Sequence, residues 1–233
     1  LKPGIITSAD LDKVSRTKKP IKLVLVVKTR NNPFFDPMIK AFESEAKSLG
    51  CDSEVQAPPQ EGDKELQFSY VTSIVAKGAD AILIAPADSK AIVPALKKAS
   101  DKKILVINLD NRVDAQSAAQ QGLELGGFVG ADNEAGGKLA GQTLASILDN
   151  KGKVAVLEGI RGADNAEARK RGFETGKGSL EVTATESAEW NLEKADAKMR
   201  AILAAHTDVS GVFCANDMMA IGAMKAIKQA GKS

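Results

Sequence analysis

Apolar positions along the chain fall into two alternating patterns. Short, nearly continuous runs at residues 22–27, 81–86 and 103–110, with a weaker one at 51–56, have strand length and little polar alternation, which predicts strands buried on both faces. Between them the apolar positions take helical spacing. Met38, Ile39, Phe42, Ala46 and Leu49 share one stripe, opened by Asp36 as the expected N-cap with Pro37 at the first helical position and closed by Gly50. Leu66, Tyr70, Val71, Ile74 and Val75 mark a second helix ending before Gly78, and residues 92–99 a third, with its regular part expected to start late because of Pro94. The order to Asp110 is βαβαβαβ. Residues 111–127 then read as a long connection of mixed composition, a crossing between domains, and a short strand resumes at 128–133.

The rhythm then repeats. After a helix carrying Leu139, Ala140, Leu144, Ile147 and Leu148 come a strand at 154–159, a helix near 166–178 and a strand at 181–188. A helix with Leu192, Ala195, Met199, Ile202 and His206 on one face follows, then a strand at 211–216 and a helix to Ala230. A fourth strand of this unit is due after Gly231, so the second unit is expected to lack its closing strand. The pattern predicts an α/β protein of two doubly wound, Rossmann-like lobes, residues 21–127 and 128–233, joined by a hinge and preceded by a leader at 1–20. Open parallel sheets bind ligands at the carboxyl ends of their strands. Chemistry is therefore expected just after Val27, Pro86, Leu109, Gly159, Ala188 and Ala215.

Composition narrows the chemistry. With 32 Lys+Arg against 30 Asp+Glu the net charge is +2, too even a balance to hold a phosphate backbone or an acidic membrane surface. The basic stretch Arg16-Thr17-Lys18-Lys19-Pro20 reads as a solvated leader, since twenty residues cannot house a helix-turn-helix and a linker. No apolar run reaches the roughly 18 residues of a spanning helix. Cys51 and Cys214 have no metal-ligand spacing around them, and the sole histidine, His206, has no sequence neighbour to complete a triad or metal site. The glycine-rich segment Gly136-Gly137-Lys138-Leu139-Ala140-Gly141 lies inside a helical pattern, where small residues allow close packing and do not cradle phosphate. Gly231-Lys232-Ser233 copies the end of a phosphate loop but follows a helix where a strand is required. No nucleophile elbow or zinc signature occurs, so neither an enzyme nor a cofactor is expected.

The strand ends carry a different set of groups. After the first strand stand Lys28 and Asn31-Asn32-Pro33-Phe34-Phe35; after the fourth stand Asp110-Asn111-Arg112; the only tryptophan, Trp190, and Asn216 follow later strands. Aromatic planes can sandwich the C–H face of a sugar ring, while carboxylate, guanidinium and carboxamide groups meet its alternating hydroxyls. Other readings stay open at each position. Phe34-Phe35 suits a hydrophobic staple, Asp110 and Asn216 suit ordinary turns, Asp36 and Asp217 suit helix caps, Trp190 suits a helix cover, and Arg169, set among Arg161, Lys170 and Arg171, suits a solvated helix face.

With Asn31-Asn32-Pro33-Phe34-Phe35 as its first mark, the chain from Ile21 onward resembles the type I periplasmic sugar-binding proteins of ABC transporters, the ribose-binding-protein-like group. The likeness runs through Ala-Asp-Ala-Ile-Leu-Ile-Ala-Pro-Ala-Asp-Ser at 79–89, Asn108-Leu109-Asp110 and Gly130-Ala131-Asp132-Asn133. It continues through Ala168-Arg169-Lys170-Arg171-Gly172-Phe173 and Ala215-Asn216-Asp217. The resemblance implies ligand contacts at Asn32, Phe34, Phe35, Asp110, Arg169, Trp190 and Asn216. It adds Lys28, where ribose binders carry a small polar residue, and Asn111, where they carry an arginine; a sugar other than plain ribose is therefore expected. It further implies a monomeric periplasmic or lipid-anchored extracellular protein that captures a monosaccharide or polyol and passes it to an ABC-transporter permease, with no nucleic-acid partner. The rivals on the same fold are the effector domain of a LacI-like regulator and a sugar-sensing receptor domain.

Overall fold

The computed structural model describes residues 20–232. The expected leader, with its basic stretch, lies outside the described residues except for Pro20.

The first sheet is parallel, in the order β2-β1-β3-β4-β5. Its strands are β1 (Lys22–Val26), β2 (Asp52–Gln56), β3 (Ala81–Ile84), β4 (Leu105–Leu109) and β5 (Gly127–Val129). They are joined by α1 (Asp36–Ser48), α2 (Lys64–Lys77), α3 (Val93–Asp101) and α4 (Ala115–Gln121). Both faces of β1 are buried, as its unbroken apolar run requires. Val24 and Val26 join Val71, Ile74, Ile82, Leu96 and Val106 under α2 and α3, while Leu25 and Val27 pack with Phe35, Ile39 and Phe42 of the α1 side. Most stripe positions of these helices face the core as their spacing predicts, but Leu49, expected to end the first stripe, is exposed just beyond α1.

Two segments differ from expectation. Residues 111–127 are not a plain connection, for α4 forms there, capped by Asp114, whose side chain accepts from Ser117 N–H. The strand expected to open the second lobe instead closes the first sheet, β5 pairing with β4 through Asn108↔Phe128. The crossing between sheets thus follows Val129. Helix starts also differ by one residue from the expected caps. Asn32 caps a 3-10 turn over Pro33–Phe35 that ends at Asp36, whose N–H donates to Pro33 O; Phe35 and not Asp36 is the N-cap of α1, and likewise Asn216, not Asp217, caps the last helix by accepting from Met219 N–H.

The second sheet has the order β7-β6-β8, from β6 (Lys153–Glu158), β7 (Glu181–Ser187) and β8 (Val209–Cys214). It is wrapped by α5 (Asn133–Ile147), α6 (Asp164–Gly176), α7 (Leu192–Ala205) and α8 (Asp217–Gln229). Its core runs through Val154, Val156, Leu157, Phe173, Met199, Phe213 and Met219. Two of the three glycines of α5, Gly137 and Gly141, pack closely as the sequence predicts, while Gly136 faces open space. A Cβ on Gly137 would lie 2.0 Å from Arg169 O and one on Gly172 2.1 Å from Glu134 O, so α5 and α6 touch backbone to backbone. Cys51 and Cys214 are free thiols, and burial pushes that of Cys214 up to about 12. Among the described residues no helix is long and apolar enough to cross a membrane, and no group of three or more His, Cys, Asp or Glu could hold a metal ion.

Candidate functional site

Both sheets turn the carboxyl ends of their strands toward a shared cleft. At its bottom lies a cavity of about 270 Å³ lined by Lys28, Asn32, Phe34, Phe35, Glu61 and Asp110 from the first lobe and by Asn165, Arg169, Trp190, Asn216 and Asp217 from the second. A larger space of about 730 Å³ shares Asn32, Glu61 and Trp190 with it and lies between residues 59–65, at the start of α2, and the start of α7. In the first sheet the strand order reverses between β1 and β3, the place where open α/β sheets leave a crevice.

The fork there is held by a residue that periodicity does not single out. Gln67 of α2, 1% exposed, donates to Ala85 O at 3.0 Å and accepts from Ala87 N–H at 2.8 Å, satisfying backbone groups where β3 leaves the sheet. Asn108 shapes the next turn, donating to Asn111 O at 2.8 Å and accepting from Val113 N–H at 2.9 Å. Within that turn Asp110 takes φ 56°. It faces Lys28, whose Nζ is 3.5 Å from its carboxylate although Lys28 is only 1% exposed. A lysine so buried needs a partner, and among the described residues Asp110 is its ion pair.

The aromatic groups divide their labour. Phe35 is buried in the core beneath α1, as the packing reading expects, and it is also one of the residues that line the cavity. Phe34 meets it edge-on at 5.1 Å between ring centres and stays half exposed toward the cleft. On the opposite wall Trp190, at φ 65°, lies against Gly159, where any Cβ would come within 2.2 Å of the indole. Lys28 Nζ and the Arg169 guanidinium stand 5.8 and 5.5 Å from the indole centre. Its Nε1–H is buried without a hydrogen-bond partner among the described residues.

Arg169 is not on a solvated face. Its Nε donates to Asn133 Oδ1 at 2.8 Å and its NH1 to Ala215 O at 2.7 Å, which aims the guanidinium along the cavity. Burial pulls its pKa down from the usual value, against the carboxylates of Asp110, Asp217 and Glu61, which favour the charge. Asn216 is largely committed, its Oδ1 capping α8 and its Nδ2 donating to Trp190 O at 3.3 Å.

Eight of the nine residues expected from the sequence thus border one cavity. The ninth, Asn111, does not: fully buried, it donates to Pro86 O at 3.0 Å and Ser89 Oγ at 3.3 Å and accepts from Asn165 N–H at 3.0 Å. Its neighbour Arg112 stacks on Phe128, 3.7 Å from the ring centre. Three lining residues were not expected. Glu61 accepts from Asn32 Nδ2 at 3.1 Å, and burial, helped by Asp110, raises its pKa against Lys28, Asn32 and Arg169. It follows β2, the weakest apolar run of the first four strands and so the least visible strand end. Asp217 reads locally as a cap, and Asn165 has no local signal at all.

Two parallel α/β lobes that pool aromatic and hydrogen-bonding groups around a small cavity define a two-lobed, cleft-forming binding fold. Residues 23–233 match the family described as periplasmic binding protein domain. The D-ribose/D-allose-binding protein of Pseudomonas aeruginosa is 35% identical over 224 residues, 94% of this chain and 70% of that one. The D-allose-binding periplasmic protein of Escherichia coli is 32% identical over 213 residues, covering 90% and 68%. A periplasmic solute-binding protein of an ABC transporter from Actinobacillus succinogenes, solved with bound D-allose, superposes with a TM-score of 0.83 at 40% identity over 91% of this chain and 75% of that one. The chain belongs to the periplasmic binding protein domain family.

Proposed function

We propose that the protein is the solute-binding component of an ABC transporter, taking a monosaccharide or polyol into the inter-lobe cavity and handing it to a membrane permease. The observation that carries this reading is the lining of that cavity by both lobes. Phe34 and Trp190 offer planes to a sugar's C–H faces, and Asp110, Glu61, Asn165 and Arg169 offer acceptors and forked donors to its hydroxyls. A volume of about 270 Å³ is at the small end of ligand cavities and suits one sugar ring. Contact with both lobes favours the closed state, because a guest stabilises whichever arrangement touches it most.

On this reading the segments on either side of residues 130–132 act as jaws, and the protein works as a monomer in the periplasm or anchored outside the cell. It binds without catalysing, and nucleic acid is not among its partners. The relatives named for ribose and allose support a transport role over a transcription regulator. A wrong epimer leaves a buried polar group unpaired, at about 1–3 kcal/mol, or roughly 5- to 150-fold in affinity.

Titration calorimetry with pentoses, hexoses and polyols tests the assignment. At least one neutral sugar binds, and Trp190→Ala and Asp110→Ala each abolish its binding. Unchanged affinity in both variants removes those residues from the site, and preference for a phosphorylated or nucleotide ligand overturns the assignment.

A further inference from the structure

Helix α6 begins at the edge of the cleft, and its cap comes from the other lobe. A helix leaves its first N–H groups unpaired, and Ala163, at the N-cap of α6, makes no side-chain capping bond. Two of these groups are taken up across the cleft instead: Asp164 N–H donates to Ser89 Oγ at 3.1 Å and Asn165 N–H to Asn111 Oδ1 at 3.0 Å. Ser89 and Asn111 are themselves joined at 3.3 Å, and Asn111 is anchored to Pro86 O. Ser89, Asn111 and Asn165 are each 4% exposed or less, so in this seam between the lobes the Asn165–Asn111 bond is buried and the Asp164–Ser89 bond part-buried. Asn165, whose N–H is capped in this way, is also a lining residue of the cavity, and its side-chain Oδ1 is buried with no hydrogen-bond partner among the described residues.

We propose that Ser89 and Asn111 are positioning residues that latch the lobes together through the start of α6. Asn165 ties this latch to the guest, its N–H held by the first lobe and its Oδ1 accepting a ligand hydroxyl. Separating the lobes breaks both capping bonds at once and leaves the helix end to water. A ligand that satisfies Asn165 Oδ1 fixes the residue whose N–H the latch holds, so capture and closure reinforce each other. The latch accounts for Asn111 standing beside the site without entering it. Only the ligand step rests on the sugar-binding reading.

Small-angle scattering of the ligand-free protein and stopped-flow fluorescence of Trp190, the only tryptophan, test the two steps separately. With D-ribose and D-allose as probes, Ser89→Ala and Asn111→Ala enlarge the ligand-free radius of gyration. They also raise the dissociation rate about tenfold, while the association rate changes less than about threefold, as expected when a bond of the closed state is lost. Asn165→Ala keeps the ligand-free dimensions and lowers affinity about tenfold. Ser89→Ala deletes one hydroxyl and decides the matter should Asn111→Ala fail to fold. Wild-type dimensions and dissociation rate in Ser89→Ala overturn the latch, and unchanged affinity in Asn165→Ala overturns its link to the ligand. If neither sugar binds the wild type, the choice of ligand fails, while the scattering result still judges the latch.

Discussion

Asp110 and Trp190 both adopt left-handed backbone conformations, at φ 56° and 65°, which cost a non-glycine residue on the order of 1–3 kcal/mol. Their surroundings hold them there. Asn108 stitches the turn around Asp110, while Asn216 Nδ2 grips the Trp190 carbonyl and the missing side chain of Gly159 makes room for the indole. None of these supports has a pattern of its own in the chain. Asn followed by Asp at 216–217 illustrates the limit: both are capping types, and only the extended backbone of Asn216, at φ −149°, decides which one caps. Another residue just before the site carries a prediction. Glu158 is buried at the end of β6 and accepts from Lys170 at 2.8 Å and from Arg161 at 2.5 Å. Burial alone would raise its pKa, but the hydrogen bonds and charges of Lys170 and Arg161 outweigh this and hold it below the ordinary carboxylate range. A depressed folded-state pKa stabilises above the unfolded value and stops doing so as pH falls through the folded one. Glu158→Gln therefore melts at lower temperature than wild type at pH 7, and calorimetry down the acid limb finds the two converging as the pH drops below the ordinary carboxylate range.

At the scale of elements, the strands and the long helices were legible because burial imposes a period on the chain: continuous apolar runs for two-faced strands and 3.6-residue stripes for helices. The failures lie where that period is too short to register. β5 has three residues, Gly127–Val129, and α4 has seven, Ala115–Gln121, of which only Ala118 is buried. The joining of β5 to β4 is a long-range event, and nothing in three residues distinguishes a strand that ends one sheet from one that begins another. The glycines of α5 were readable as packing residues, but their partners were not. Gly137 and Gly141 lie against the backbone of α6, while Gly172 and Gly176 of α6 lie against α5. Because the obstructing atoms are backbone, Gly137→Ala forces the helices apart and is expected to lose about 1–3 kcal/mol in urea unfolding. Gly136→Ala, at a position where a Cβ meets nothing within 4 Å, keeps wild-type stability or gains slightly.

For the molecule as a whole, closure links stability to ligand. A guest held only when both lobes surround it binds the folded chain and not the unfolded one, so it stabilises by mass action, about 2.7 kcal/mol at a ligand concentration a hundred times its dissociation constant. The melting temperature of the wild type is therefore expected to climb steadily with sugar concentration in differential scanning calorimetry. Trp190→Ala flattens that climb while keeping the ligand-free transition cooperative. A sugar that binds by calorimetric titration yet leaves the transition in place would show that binding does not depend on the folded cleft.

What the chain determines by itself is local and repetitive. The alternation of apolar runs and stripes dictates two parallel α/β units, and the strand ends, where the backbone leaves the sheet, are where Lys28, Asn32, Phe34, Phe35, Asp110, Trp190 and Asn216 were found waiting. What only the tertiary structure decided is which of those groups face one another. Glu61 and Asn165 belong to the cavity, Arg169 is turned inward by Asn133 and Ala215 O, and Asn111 is drawn away to cap a helix of the opposite lobe. Periodicity records how each segment meets the core. The meeting of residues 54 positions apart, such as Asn111 and Asn165, depends on how two finished lobes are set against each other, which no single segment encodes.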